Sequence, residues 1–372
     1  MAMEVKCNPL DRGFRLYQRE YEQKALEVLR SGWYILGKEL ENFEQEFAAY
    51  LGVSYCIGVA SGLDALKIAV YLLGIHEGDE VIVQANTYIA SVMGITSNGA
   101  TPVFVEPDKY HNIDIMKIEK NISDRTKAIM VVHLYGQATD MSSVMSIAKK
   151  YNLKVIEDCA QAHGAEWHGQ KVGTFGDIGC FSFYPTKNLG AFGDAGAIVT
   201  NNSKTATDAK TYRNYGSNKK YYNKMIGINS RMDELQAGLL RVKLQHIKEL
   251  IDERKFIAEN YLDGLKNAGL LLPLVKEGGT SVWHQFVVRI KNRKFFMQYL
   301  EKHHIQTLIH YPIPPHLSEA YNYLQMSEGS LPITEAIAKE VVSLPIYNGM
   351  AREEIAYVVK KILDYEESVR KE

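Results

Sequence analysis

The sequence predicts an α/β protein, with a large domain built on a mostly parallel, seven-stranded sheet and a smaller α/β domain after it. Three observations carry this expectation. From Tyr55 to about Val199, short apolar runs alternate with helical patterns, the order that gives right-handed strand–helix–strand units with helices on both faces of a sheet. Several runs are continuous, as in Ala128-Ile-Met-Val-Val-His133, which marks strands buried on both faces. The pattern then changes after one long helical stretch, which places a boundary between residues 1–245 and 246–372.

Strands are expected near Tyr55–Val59, Val81–Gln84, Val103–Val105, Ala128–His133, Lys154–Glu157, Gly179–Phe183 and Ala197–Val199. Helical patterns lie between them at Leu63–Leu73, Ser91–Ser97 and Met141–Tyr151. Ser230-Arg-Met-Asp233 reads as a capping box that opens a helix running to about Lys266. The second domain is expected to hold strands Trp283–Ile290 and Gln306–His310 and helices Arg293–His304, Thr334–Val342 and Arg352–Tyr365. A Pro-rich turn, Pro312–Pro315, follows the second of these strands.

Composition narrows the function classes. Lys plus Arg number 43 against 44 Asp plus Glu, a balance that argues against a nucleic-acid surface. The 372 residues contain no apolar run long enough to span a membrane, and Met1–Gly13 lacks the apolar stretch of a signal peptide, so a cytoplasmic protein is expected. The four cysteines form no C-x-x-C pair and read as small buried thiols. No histidine spacing suggests a metal site.

Ligands of such sheets bind beyond the carboxyl ends of the strands, so chemistry is sought there. Val59-Ala-Ser-Gly-Leu-Asp-Ala-Leu66 runs from a strand straight into a helix, whose first amides suit a phosphate. The same residues also read as a plain cap, Ser61 with Asp64, and the Asp64 charge opposes an anion unless it points away. Asp158 closes a buried strand and needs a cationic partner, such as a protonated pyridine nitrogen, or else caps the next turn. Lys187 follows a strand in a Pro- and Gly-rich turn: desolvated, it is a Schiff-base lysine, and solvated, an ordinary loop lysine. Tyr88, at another strand end, either stacks on a flat ring or packs against its neighbours. Taken together, the four supply what one molecule of pyridoxal 5'-phosphate requires: a phosphate cradle, a stacking ring, an acid for the ring nitrogen and an amine nucleophile. A dinucleotide-binding dehydrogenase is set aside because no G-x-G-x-x-G follows the first strand.

The sequence resembles the DegT-type family of sugar-nucleotide aminotransferases, which have the aspartate aminotransferase fold (fold type I). The resemblance runs from Gly32-Trp-Tyr-Ile-Leu-Gly37 to Ser343-Leu-Pro-Ile346. It rests most on Glu157-Asp-Cys-Ala-Gln-Ala-His-Gly164, Phe181-Ser-Phe-Tyr-Pro-Thr-Lys-Asn-Leu-Gly190, Gly193-Asp-Ala-Gly196 and Asn229-Ser-Arg-Met-Asp233. It implies that Lys187 forms the internal aldimine and shuttles the proton. Asp158 pairs with the pyridinium nitrogen, Gln161 approaches the ring hydroxyl and Tyr88 stacks on the ring. Gly62, Leu63 and Ser182 hold the phosphate, with Asn229 of the neighbouring subunit, so the enzyme is a homodimer with shared active sites. Leu63 departs from the Thr of many relatives and removes a hydroxyl there.

Ser61-Gly-Leu-Asp-Ala-Leu66, His133-Leu-Tyr-Gly-Gln137, Arg213-Asn-Tyr-Gly216 and Ile309-His-Tyr-Pro-Ile-Pro-Pro-His316 resemble the members that aminate dTDP-3-keto-6-deoxyhexoses at C3. This implies L-glutamate as amino donor, pyridoxamine phosphate as the intermediate cofactor form and a nucleotide sugar as acceptor. Amination at C4 shares the same cofactor motifs. A sugar dehydratase of this fold carries His in place of the lysine, and a regulatory protein on the scaffold needs neither Lys187 nor Asp158. Tyr184, Lys219, Tyr221, His310 and Tyr311 are candidate substrate contacts, since they lie in polar, aromatic loops. Lys219-Lys-Tyr-Tyr222 reads equally as a solvated surface loop, and His310 and His316 as structural residues of the Pro-rich turn.

Overall fold

The computed structural model describes residues 3–371. Seven strands form the central sheet: β1 (Tyr55–Val59), β2 (Glu80–Gln84), β3 (Thr101–Val105), β4 (Thr126–Val132), β5 (Lys154–Asp158), β6 (Ile178–Ser182) and β7 (Gly196–Thr200). Their order across the sheet is β1-β7-β6-β5-β4-β2-β3. Only β7 runs antiparallel to its neighbours, so the expected mostly parallel sheet is present.

The continuous apolar runs are explained by packing on both faces. Along β4, Ile129 and Val131 enter one core with Phe43, Phe47 and Phe181. Met130 and Val132 enter the other, with Leu66, Ile68 and Val92. Successive strand residues point to opposite faces, so a strand with no wet face has no polar alternation to show. All four cysteines are buried and free.

Three helices precede the sheet at Leu10–Leu16, Gln18–Ser31 and Lys38–Leu51, none of them among the elements expected from the sequence. The third presents Leu40, Phe43, Phe47 and Leu51 to the sheet at helical spacing.

The expected single helix from Ser230 to Lys266 is two helices, Glu234–Gln245 and Ile247–Leu265. The break falls at His246 (φ −103°, ψ 6°), whose ring stacks on Tyr17 at 3.7 Å. The capping box is also corrected. Asp233 is the N-cap, while Ser230 donates to the Asp64 carboxylate and accepts from the Ala60 amide. The Glu234 carboxylate instead caps a different helix, accepting from the amides of Gly37, Glu39 and Leu40.

In the C-terminal part, Phe286–Arg289 pairs antiparallel with Val341–Leu344. The latter strand overturns the end of the expected helix Thr334–Val342, which stops at Glu340. Val341 and Val342 are β-branched and fully buried, and they gain more as a paired strand than as a helix end. Gln306–His310 is not a strand. Ile305 bridges Val5 and Leu308 bridges Ser343, one isolated pairing each. A separate core forms around Tyr261, Phe286, Phe296 and Ile362, and Val5 joins it from the N-terminus.

Candidate active site

A cleft of about 500 Å³ opens at the carboxyl ends of β2, β5 and β6. It gathers Gly62, Leu63, Tyr88, Asp158, Gln161, Ser182, Tyr184, Lys187, His310 and Tyr311, ten residues expected from sequence.

The helix Gly62–Leu72 starts directly behind β1. Ser61 Oγ accepts from the Asp64 amide at 3.1 Å, so the capping reading holds. The Asp64 carboxylate turns away to take the Ser230 hydroxyl at 2.7 Å. Among the described residues the amides of Gly62 and Leu63 then have no acceptor, which leaves a cap and an open anion cradle in one turn. Gly62 is required because a Cβ there would lie 2.5 Å from Ser182 Cβ. That close approach seats the helix start against the end of β6.

Asp158 is 5% exposed. Its Oδ2 accepts from Ser91 Oγ at 2.7 Å and its Oδ1 from the Ala160 amide at 3.1 Å. Ser91 in turn bonds the Thr87 hydroxyl at 2.7 Å. Burial raises the Asp158 pKa, against the Ser91 and Ala160 bonds and the charge of Lys187. Lys187 is half-buried, and desolvation lowers its pKa to about 8 against the pull of Asp158. A lysine so placed supplies free amine near neutral pH.

Gln161 Oε1 accepts from the Tyr135 amide at 2.6 Å, and its Nε2 donates to the Tyr311 hydroxyl at 3.0 Å. Tyr88 and Tyr311 have ring centroids 5.1 Å apart. His310 Nδ1 bonds Ser343 Oγ at 2.7 Å, and burial lowers its pKa to about 4.

Two residues of the site went unread in the sequence. In sequence Ser91 marks only a helix start, and nothing local shows that it reaches Asp158. His284 lines the cleft with its Nδ1 against Asn188 Oδ1 at 3.2 Å. Asn188 Nδ2 donates to the Val282 carbonyl, so Oδ1 accepts and the His284 proton sits on Nδ1. That leaves Nε2 of His284 as a lone-pair acceptor.

Asn229, Lys219 and Tyr221 do not line the cleft of their own chain. Asn229 is exposed, with its backbone bridged to Asn214. Lys219 and Tyr221 belong to a small hairpin, Ser217–Lys219 with Tyr222–Asn223, and Tyr221 is 85% exposed. Within one chain this hairpin lies at the surface. His316 is buried away from the cleft against Glu335, as a structural residue.

His133, Glu157 and Cys159 cluster within metal-ligand range among the described residues. Glu157 already accepts from His133 Nε2 and from the amides of Gly173, Phe175 and Gly176. His133 Nδ1 accepts from the Thr139 amide. No lone pair of that carboxylate is left for an ion.

The chain belongs to the DegT/DnrJ/EryC1/StrS aminotransferase family, whose profile matches residues 16–363. It is 56% identical over 350 residues to dTDP-3-amino-3,6-dideoxy-alpha-D-galactopyranose transaminase of Aneurinibacillus thermoaerophilus, covering 94% of this chain and 96% of that one. It is 44% identical to dTDP-3-amino-3,4,6-trideoxy-alpha-D-glucose transaminase of Streptomyces venezuelae, covering 94% and 93%. The crystal structure of S. venezuelae DesV in complex with a ketimine intermediate superposes with a TM-score of 0.96 at 43% identity, covering 98% and 99%. The protein is therefore an aminotransferase of the α/β, fold type I class, and its cofactor is pyridoxal 5'-phosphate. The cleft fits that group: open amides for a phosphate, a buried carboxylate with spare acceptor capacity and a depressed lysine share one space.

Proposed function

We propose that this chain transfers an amino group from L-glutamate to the 3-keto carbon of a dTDP-3-keto-6-deoxyhexose, giving a dTDP-3-amino-3,6-dideoxyhexose. The observation that carries the reading is Lys187 and Asp158 in one cleft beneath the open amides of Gly62 and Leu63. The acceptor sugar is supported by the transaminases at 56% and 44% identity.

In this assignment Gly62, Leu63 and Ser182 hold the cofactor phosphate, Tyr88 packs on its ring and Gln161 lies at its hydroxyl. Bound there, the cofactor supplies an electron sink for the carbanion formed at the reacting carbon. Asp158 keeps the ring nitrogen protonated. Ser91 and the Ala160 amide hold its carboxylate in place without filling it. Lys187 Nζ takes the proton from the donor's α-carbon and returns one to the sugar carbon, a task suited to an amine with a pKa of about 8. Tyr184, His310 and Tyr311 line the same cleft and are assigned to the sugar.

We assign Asn229, Lys219 and Tyr221 to the active site of a second copy, in a homodimer. Their exposure supports this, as does the apolar surface around them and on the Gly32–Gly37 loop: Ile226 is 92% exposed and Trp33 63%. Residues 1–245 and 246–372 are taken as large and small domains, the second bringing His310 and Tyr311 to the cleft. The cytoplasm is the assigned compartment; no helix among the described residues is long and apolar enough to cross a membrane.

The test is turnover of a panel of dTDP- and UDP-linked 3-keto and 4-keto sugars with L-glutamate, the amination position being read by NMR. Amination of a dTDP sugar at C3 is expected. Amination at C4, or a preference for UDP sugars, overturns the assignment.

A further inference from the structure

A second cavity, of about 230 Å³, lies behind the loop that carries Lys187. Only Thr186 and Lys187 line both it and the cofactor cleft. Besides Thr186 and Lys187, its polar lining includes Asn8, Lys243, Arg254 and Asn348.

Arg254 is 4% exposed. Its Nε donates to Asn348 Oδ1 at 3.0 Å, and its Nη1 faces the carbonyls of Trp283, His284 and Ile346 at 3.2 to 3.3 Å. Its Nη2 has no acceptor among the described residues. Lys243 reaches a single carbonyl, that of Gly190, at a long 3.4 Å. Neither cation forms an ion pair among the described residues. Glu253, the acid beside Arg254 in sequence, accepts from Asn348 Nδ2 and the Gly349 amide and acts on Arg254 through its charge alone, without a hydrogen bond to it.

Lys243 and Arg254 line one cavity and repel each other, and an anion between them relieves that repulsion. We propose that this cavity is a binding site for a small oxyanion of the phosphate or carboxylate class, held by Lys243 Nζ and Arg254 Nη2. The planar guanidinium presents parallel N–H groups to such an anion, and the lysine adds a point charge beside it. The volume suits inorganic phosphate or a short carboxylate and is too small for a nucleotide sugar. Burial and the neighbouring guanidinium already pull the Lys243 pKa down to about 8, which agrees with an ammonium lacking a counter-charge.

The experiment uses the holoenzyme, so that the cofactor fills its own phosphate site. Tm is followed against inorganic phosphate, and separately against glutarate, with sodium chloride holding ionic strength constant. The wild type should show a saturable rise of roughly 2 °C or more. Lys248→Met, at an exposed lysine on the next helix, should behave like the wild type, and Lys243→Met should show no rise. A response to phosphate alone identifies an inorganic oxyanion, and a response to glutarate alone identifies a carboxylate. No saturable response to either anion, or a Lys243→Met response equal to the wild type, overturns the proposal. Should Lys243→Met fail to fold, Lys243→Gln replaces it: a saturable wild-type rise that Lys243→Gln lacks supports the site, and an equal rise in both overturns it.

Discussion

Glu157 and Asp158 are consecutive residues at the end of β5, both buried, and they face opposite sides of the sheet. Glu157 accepts four hydrogen bonds, from His133 and from three amides of the 173–176 turn, at 2.7 to 3.1 Å. Its capacity is full, and it welds that turn to the strand. Asp158 accepts two, from Ser91 and Ala160, and is otherwise open to a cleft containing Lys187. A carboxylate offers about four acceptor positions, so half of those on Asp158 are spare. Burial alone does not separate a structural acid from a working one. The difference lies in whether the fold has already satisfied it.

That contrast can be broken by mutation, starting with the largest effect. Lys187→Ala should remove the visible cofactor absorbance and lower turnover by at least ~10³-fold, because general acid–base transfer at this position is lost. Retention of both would remove Lys187 from its role. Asp158→Ala should keep some cofactor but slow the proton transfer by roughly 10²-fold or more in single-turnover kinetics. A near-normal rate would mean that the ring nitrogen is managed by another group. Glu157→Gln should do the converse. It should cost about 3 kcal/mol of stability by denaturant titration, while the folded fraction keeps a near-normal kcat. A selective kinetic defect there would erase the distinction between the two acids.

Ser91→Ala should be the mildest, lowering kcat several-fold. The Ser91 hydroxyl favours ionised Asp158, whose pKa burial already raises. Its loss raises that pKa further, so the acid limb of the kcat profile should move to higher pH and the alkaline limb should stay. A uniform loss at all pH values would assign Ser91 a purely structural part.

The sequence made the sheet legible because strands buried on both faces write unbroken apolar runs, as at Ala128–His133. Lys187, Asp158 and Gly62 were legible because each sits where a strand run stops, and there the residue type is itself informative. What was not legible depends on distant partners. Ser91 lies 67 residues from Asp158, and His284 lies 96 from Asn188. Val341–Leu344 was assigned in part to a helix because its strand partner, Phe286–Arg289, is far back in the chain. Nor does the local pattern around His246 show a helix break, since the ring it stacks on belongs to Tyr17.

The central claim is that Lys187, and no other amine, makes the covalent link to the cofactor. Lys243 is the sharpest competitor, since its pKa is also lowered to about 8 and it lies behind the same loop. Borohydride reduction of the holoenzyme followed by peptide mapping separates the two. The label is predicted on Lys187 alone, in the turn after β6. Label on Lys243 or another lysine, or no label at all, contradicts the account.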